Sequence, residues 1–299
     1  MKRFTVILLS FSLLVGTAFA LRVCAPVGAS FRQLEELNGL ELALEEEGLG
    51  VSRGFNCTKT EVELGGLGAI SPEDLLPPLD VEVEQLLSLR LGSVFAVVYP
   101  EDEASFARVL VGRLEEEGGE VALVYPYRPG LNNYRDILDA LIKVKDEGKK
   151  HIDTVFFLGA YREAILIIPF FRIFKPFPRI AATWRIYDSL MFAYRSFMRT
   201  VVFYEWFAPW LPLIHVRGFE IAYRRAYGRY PSRWAALGYD TGKIVAKAIL
   251  HGSDVRRVRV VGVTGIWGVD EGFRPLRVYV PVRVRELPHL PPPVLMRRY

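Results

Sequence analysis

Few residues of this chain have the type and spacing that catalysis requires. Residues 50–54 have the form G-x-S-x-G, which in hydrolases places a nucleophilic serine on a turn between a strand and a helix. Here a helical pattern ends just before Gly50 and a β-prone stretch follows, so we interpret the segment as a glycine-rich helix stop. The sequence contains no Walker A loop, no G-x-G-x-x-G and no H-E-x-x-H. We therefore expect no enzyme and no cofactor.

Composition disfavours metal and nucleic-acid sites. The 299 residues include four scattered histidines and two cysteines, too few for a four-cysteine zinc site or a histidine-rich centre. The net charge is only +4 and no basic block accompanies it, so we expect no nucleic-acid partner. With 51% hydrophobic and 24% charged residues, the chain is not intrinsically disordered.

Residues 1–20 have the pattern of a secretory signal peptide. Lys2 and Arg3 precede an apolar run over residues 4–16, and Ala18 and Ala20 have the small-x-small spacing of a cleavage site. The run is too short to span a bilayer stably. We expect cleavage after Ala20 and a periplasmic or secreted protein.

Export would place Cys24 and Cys57 in an oxidising compartment. They could form a disulfide or remain buried and reduced, and both possibilities stay open. Residues 21–23 before Cys24 are not the small residues that a lipoprotein signal requires, so we do not expect a lipid anchor.

Strand and helix patterns alternate through the middle of the chain. The apolar runs are continuous, which is typical of strands buried on both faces of a parallel sheet. The predicted strands cover residues 94–99, 121–125, 153–159, 179–183 and 200–204, with amphipathic helices after the first two. This alternation predicts an α/β fold with parallel sheets flanked by helices.

The two ends of the chain show the same elements less clearly. A strand over residues 21–27 is followed by Ser30 and Gln33, which have capping-box spacing before a helix. Residues 51–80 show little periodicity. Further helices are predicted over residues 216–227 and 232–251, further strands over 258–263 and 276–284, and an extended Pro-rich tail over 287–299.

Residues 219–232 and 235–240 carry a family resemblance. They closely resemble the signature F-x-x-x-Y-x-x-x-Y-G-x-x-P…A-A-x-G-Y-D-A of type 1 periplasmic solute-binding proteins, which include the leucine/isoleucine/valine receptors of ABC transporters. Shorter similarities to this family occur at residues 38–46, 97–102 and 262–272. The Tyr-Pro step in 97–102 and residues 117–121 are also similar to the branch related to activators of penicillin-binding proteins.

The resemblance implies two lobes joined by several crossings of the chain. The expected first lobe contains residues 21–93 and 206–252, and the expected second lobe contains 94–205 and 253–286. The family's first lobe has several more strand–helix units than residues 48–84 of this chain can supply. One loop of the family's first lobe contains a serine and holds amino-acid ligands. We therefore expect a reduced first lobe.

Ligands of open α/β sheets bind beyond the carboxyl ends of the strands. The residues at those predicted ends are Ser30, Tyr99, Tyr127, Tyr161, Trp184 and Glu205. Trp184 and Tyr161 are expected to form one wall of a site for a partly apolar ligand with a polar or charged group. Any of the six could instead be a hinge or edge packing residue.

Two functions follow from the resemblance. The first is a receptor that captures an amino-acid-like or other small metabolite and presents it to the membrane permease of an ABC transporter. The alternative is a regulator of cell-envelope (peptidoglycan) synthesis that has kept the fold, lost the small-molecule site and binds a cell-envelope protein.

Overall fold

The computed structural model describes residues 20–26, 29–57, 62–63, 69–148, 151–188, 191, 196, 198–211 and 213–287. These residues form two compact units. Unit 1 contains the described residues up to Pro77 together with Trp206–Val278, and unit 2 contains Pro78–Glu205 and the described residues from Tyr279 onward. The predicted signal segment up to residue 19 and the tail from residue 288 lie outside the described residues. Among the described helices, none has the length and apolar character needed to cross a bilayer.

Unit 2 is built on one six-stranded sheet. Its strands are β5 (Val94–Pro100), β6 (Glu120–Tyr127), β7 (Thr154–Phe157), β8 (Arg179–Ala182), β9 (Val201–Glu205) and β12 (Val280–Arg283). They lie in the order β12-β9-β8-β7-β5-β6, and β5 to β9 are parallel while β12 runs antiparallel beside β9. The five parallel strands therefore form one continuous sheet, as the alternation of apolar runs and helices predicted.

The central strands β5, β7, β8 and β9 are largely buried because most of their residues are apolar, whereas the edge strands β6 and β12 are partly exposed. The helices of unit 2 are α2 (Leu79–Ser88), α3 (Ala104–Glu116), α4 (Arg135–Gly148) and α5 (Tyr161–Ile167). Phe95 of β5 and Phe156 of β7 are 2% and 0% exposed, and their rings meet edge to face with centroids 5.7 Å apart. Apolar residues of α2 and α3, such as Leu86 and Leu110, pack on the same core.

The sheets of unit 1 are short within the part of the chain that the structure describes. Their strands are β1 (Ala20–Pro26), β2 (Gly50–Cys57), β3 (Val62–Glu63), β4 (Ala69–Ile70), β10 (Ile266–Val269) and β11 (Pro275–Arg277). They pair as the parallel pair β1-β2 and the antiparallel pairs β3-β4 and β10-β11. The backbone register places Cys24 opposite Gly54 and Cys57 opposite Pro26. The sheets of unit 1 are thus reduced relative to unit 2.

Helices dominate unit 1, and its helices are α1 (Phe31–Glu46), α6 (Ile214–Tyr227) and α7 (Arg233–His251). Helices α1 and α7 pack at very short range. A Cβ atom at Gly39 would lie 1.9 Å from the carbonyl oxygen of Ala235, and one at Gly238 would lie 1.9 Å from that of Glu36. Any side chain at either position would push the helices apart, so glycine permits this contact.

The units divide the chain differently from the predicted lobes at two places. Residues 78–93 belong to unit 2, because α2 buries Val83, Leu86 and Leu87 in the core of the sheet. Residues 253–278 belong to unit 1, where the loop before β10 hydrogen-bonds to Asp240 of α7. The predicted crossing after residue 205 coincides with the division at Glu205 and Trp206.

Two strand predictions near the end of the chain were wrong. Residues 258–263 form a loop rather than a strand, although Val260 and Gly262 donate backbone hydrogen bonds to Trp267 and Ile266. The predicted strand 276–284 is split, because Arg277 pairs with Ile266 in unit 1 whereas Val280 pairs with Glu205 in unit 2.

Candidate functional site

The carboxyl ends of β5 to β9 form one edge of the sheet of unit 2, here called the carboxyl edge. Strand β6 lies on one side of β5, and the next strand in sequence, β7, lies on the other side. The topological switch point is therefore between β5 and β7. Ligands of open α/β sheets bind at such points. Tyr99 of β5 and Tyr161, the first residue of α5 after β7, flank this point.

Tyr127 lies at the end of β6, and its hydroxyl reaches the switch point. A Cβ atom at Gly159 would lie 1.8 Å from this hydroxyl oxygen, so a side chain there would displace the Tyr127 ring. The side chain is 4% exposed, and among the described residues its hydroxyl has no hydrogen-bond partner. Burial raises the pKa of Tyr127 above its usual value, and the Glu163 carboxylate adds to the rise. The hydroxyl therefore stays protonated at neutral pH and can donate a hydrogen bond.

Trp184, which follows β8, is held by a polar cluster. Its indole Nε1 donates to Glu82 Oε1 of α2 at 3.1 Å. Arg185 donates to the other oxygen of Glu82 at 2.6 Å and lies 3.3 Å from Glu103. Burial raises the pKa of Glu82, and the neighbouring guanidinium opposes that rise. The ring of Trp184 is fixed in position, half-buried at the carboxyl edge.

The remaining predicted residues of unit 2 also lie at this edge. Tyr99 is half-buried against the core and pairs in register with Pro126. Tyr161 is 6% exposed, and Glu205, the last residue of β9, is 0% exposed. The strand order thus brings Tyr99, Tyr127, Tyr161, Trp184 and Glu205 to one edge, although most of their surface is covered.

Ser30 lies in unit 1 and caps helix α1. Its hydroxyl accepts from the backbone N–H of Gln33 at 3.3 Å, and the Gln33 side chain accepts from the backbone N–H of Ser30 at 2.9 Å. The hydroxyl also donates to the Gln33 side chain at 3.0 Å. The predicted capping box is confirmed, and it uses the hydrogen-bonding groups of Ser30 locally.

The G-x-S-x-G segment is not a turn between a strand and a helix. Residues 50–54 lie inside β2, which follows α1. In hydrolases, the turn that carries the nucleophilic serine requires a strand before it and a helix after it. Within the described part of the chain, no group of three or more potential ligand side chains could hold a metal ion.

Sequence reasoning missed several side chains at the carboxyl edge. Glu82 reaches Trp184 across 102 positions of the chain, and no local pattern indicates such a contact. Tyr134 packs edge to face on Tyr127 with ring centroids 5.3 Å apart. Glu163 is 7% exposed in the first turn of α5, and its place just after a strand end was the signal that could have identified it.

A surface cavity of about 450 Å³ lies elsewhere in unit 2. It is lined by Asp80, Val81, Glu84, Gln85, Ser88, Tyr204 and Tyr279. None of the predicted site residues lines it.

The residues that carried the family resemblance hold unit 1 together. Tyr223 donates to buried Glu35 Oε1 of α1 at 2.8 Å, and Tyr227 donates to the backbone oxygen of Asn38 at the same distance. The Phe219 ring lies on that of Tyr239, with centroids 4.6 Å apart. These aromatic positions therefore connect α6 to α1 and α7.

Asp240, at the end of the signature, binds the loop over residues 262–265, which lies in one of the shorter family similarities. Its carboxylate accepts from the backbone N–H groups of Val263 at 2.7 Å and Thr264 at 2.8 Å, and from the Thr264 hydroxyl at 2.5 Å. Complete burial outweighs these bonds and raises the pKa of Asp240 to about 6. The loop over residues 262–265 is thus tied to α7 by a single buried carboxyl group.

Comparison with known proteins gives matches at the level of structure. No protein-family model matches the chain, and no curated protein matches it. A Rhodospirillum rubrum protein named for a branched-chain amino acid ABC transporter aligns at a TM-score of 0.67 and 16% identity, over 90% of this chain and 98% of that one. The leucine binding protein LivK of Thermotoga maritima aligns at 0.61 and 18% identity, over 88% and 95%.

A solute binding protein of R. palustris in complex with benzoate aligns at a TM-score of 0.60 and 11% identity, over 89% of this chain and 94% of that one. At these identities the likeness concerns the fold. Together with the parallel sheet of unit 2 and the signature residues of unit 1, it shows that this chain has the fold of the type 1 periplasmic solute-binding proteins.

Proposed function

We propose that the protein is an extracytoplasmic solute receptor that binds a small, partly apolar ligand for the permease of an ABC transporter. One observation carries this proposal. The chain has the fold of solute-binding proteins along nearly its whole length. Within that fold, the strand order brings the aromatic residues of unit 2 to the carboxyl edge. The similar proteins include one named for leucine and one solved with benzoate, so amino acids and aromatic acids are the first ligands to test.

The carboxyl edge supports binding rather than catalysis. Tyr127 supplies a protonated hydroxyl, Trp184 a fixed aromatic ring, and Glu163 and Glu205 buried carboxylates. These groups suit a ligand that combines an apolar body with a polar or charged end. Export through a signal peptide cleaved after Ala20 belongs to the same proposal, and such cleavage would remove one residue of β1.

A thermal-shift screen followed by calorimetry tests the proposal. The purified protein is mixed with leucine, isoleucine, valine, other amino acids and benzoate, and any ligand that raises the melting temperature is titrated. We expect at least one of these ligands to bind. If none binds across a broad screen, the solute-receptor proposal fails.

Trp184 is the residue whose removal tests the site. Trp184→Ala removes an aromatic wall at the carboxyl edge, and we expect about tenfold weaker binding of the ligand found in the screen. Trp184→Phe keeps a ring and should lose less affinity. Trp267→Ala is the matched control, because Trp267 is 47% exposed on β10 of unit 1. Unchanged affinity in Trp184→Ala, with the fold intact by circular dichroism, would remove Trp184 from the site.

A further inference from the structure

The outer face of α6 in unit 1 exposes large aliphatic side chains. Ile214 is 88% exposed and Ile221 is 58% exposed. They are seven residues apart, so they lie two turns apart on the same face of the helix. Leu213, just before the helix, is 43% exposed beside them. These three side chains form an aliphatic strip on the unit's surface.

The strip lies among positive charges. Arg217, Arg224 and Arg225 of α6 are exposed. The acidic residue of this helix, Glu220, is 7% exposed, and burial raises its pKa. The outer face of α6 therefore presents guanidinium groups and aliphatic groups without an exposed carboxylate. A complementary surface must be both anionic and apolar.

Aromatic residues stand at both ends of the helix. Trp210 is half-buried in the turn before α6, and Tyr230 is half-buried after its end. The guanidinium carbon of Arg224 lies 4.4 Å from the centre of the Tyr230 ring. Tryptophan and tyrosine are enriched where a membrane meets water, and guanidinium groups match phosphate oxygens in a bidentate geometry.

We propose that the outer face of α6 docks on an anionic lipid surface. Ile214 and Ile221 enter the boundary between headgroups and acyl chains, and the three arginines contact lipid phosphates. A second copy of this face is a poor partner, because it would bring like charges together. This inference stands apart from the solute-binding proposal, since it uses no residue of the carboxyl edge.

Co-sedimentation of the full chain with lipid vesicles tests the inference. One set of vesicles contains equal parts of phosphatidylglycerol and phosphatidylcholine, and the other contains phosphatidylcholine alone. We expect binding to the first set that weakens as salt is added. An arginine near an anionic surface contributes about 1 kcal/mol, so Arg217→Ser and Arg224→Ser should each weaken binding about fivefold. Ile214→Ser combined with Ile221→Ser should weaken it at least about tenfold.

A matched control lies on α3 of unit 2, where Arg108 and Val109 are also exposed. Arg108→Ser and Val109→Ser should bind anionic vesicles like the unmodified chain. The apolar segment over residues 4–16 is present in every variant, so differences among variants report on α6 alone. Circular dichroism melting checks that each variant folds, and if the isoleucine variant unfolds, the arginine variants decide.

Three results would overturn the inference. The first is no binding to the anionic vesicles. The second is binding that the α6 variants leave unchanged, which would assign it to another part of the chain. The third is a different occupant, either an acidic protein or a second copy of the chain. Ultracentrifugation would show the second copy as concentration-dependent association that the α6 variants abolish, without vesicle binding.

Discussion

Unit 2 and unit 1 reach a buried core by different means. Unit 2 is built on a continuous sheet of six strands, and the apolar side chains of its central strands fill the space between sheet and helices. The sheets described in unit 1 have two strands each, and its α1 and α7 approach so closely that Gly39 and Gly238 face backbone atoms. A unit with small sheets can thus build its core by close helix packing, in which glycines let the backbones approach and large side chains such as Leu40 and Tyr223 are fully buried.

Their buried polar groups differ as well. In unit 1, Glu35 and Asp240 accept several hydrogen bonds and tie elements together. At the carboxyl edge of unit 2, the Tyr127 hydroxyl is buried without a partner among the described residues. A satisfied buried network stabilises a fold, whereas an unsatisfied group costs free energy unless another molecule uses it. The network of Glu35 and Asp240 therefore stabilises unit 1. A buried atom without a partner among the described residues also occurs there, at Glu220 Oε1, so Tyr127 is distinguished by its position at the carboxyl end of β6.

Removing a large side chain from the sheet should have the largest effect. Phe156→Ala deletes a fully buried ring of unit 2, and we expect a loss of about 4 kcal/mol in the free energy of unfolding. Hydrogen exchange should accelerate in β5 and β7 while α1 and α7 keep their protection. Equal acceleration in both units would show that they unfold as one body, and the comparison would then fail.

The buried carboxyl group of unit 1 should make stability depend on pH. The pKa of Asp240 rises from 3.8 to about 6 on folding, so the folded chain holds this proton more tightly than the unfolded chain. Its contribution to the free energy of unfolding is full below pH 4 and is lost as the pH rises towards 6. Two pKa units correspond to about 3 kcal/mol. In Asp240→Asn this dependence should disappear, as measured by urea unfolding at several pH values.

Asp254 provides a control, because its pKa is lowered in the folded chain whereas that of Asp240 is raised. Hydrogen bonds from Arg256 lower the pKa of Asp254, so its contribution is present at neutral pH and is lost as the pH falls. Asp254→Asn should therefore remove a stabilisation that weakens in acid. A pH profile that is the same in the chain and in Asp240→Asn would contradict the role given to the buried carboxyl group.

The close helix packing predicts a smaller loss. Gly238→Ala places a methyl group against the backbone oxygen of Glu36 and should cost about 2 kcal/mol, measured by thermal unfolding. Gly112→Ala on α3 of unit 2 is the matched control, because nothing lies within 4 Å of the added Cβ atom. That change should stabilise the protein by up to about 1 kcal/mol. Similar effects of the two changes would show that α1 and α7 tolerate separation.

The cap of α1 should have the smallest effect. Ser30→Ala removes the hydroxyl of the capping box and should cost about 1 kcal/mol in the free energy of unfolding. Ser30→Asp keeps an acceptor and should restore most of that loss. If Ser30 instead contacts the ligand, Ser30→Asp will have normal stability and weakened ligand affinity in calorimetry.

Much of the fold could be predicted from local patterns. The five parallel strands, the helices after the first two of them and the cap at Ser30 lie where the sequence indicated, because apolar runs and capping residues act over a few positions. The signature of residues 219–240 indicated the fold, since its aromatic and small residues meet the strict packing needs of α1, α6 and α7. The carboxyl-edge residues of unit 2 could likewise be identified as strand ends.

Only the tertiary structure decided which distant residues meet. Trp184 is held by Glu82, Tyr127 lies against Gly159, and Asp240 binds the loop at Thr264. Such contacts depend on strand order and on the paths of connecting segments, and many arrangements share the same local pattern. For the same reason, the structure alone assigned α2 to unit 2 and residues 253–278 to unit 1: a segment joins the unit whose core buries its apolar side chains or whose polar groups accept its hydrogen bonds.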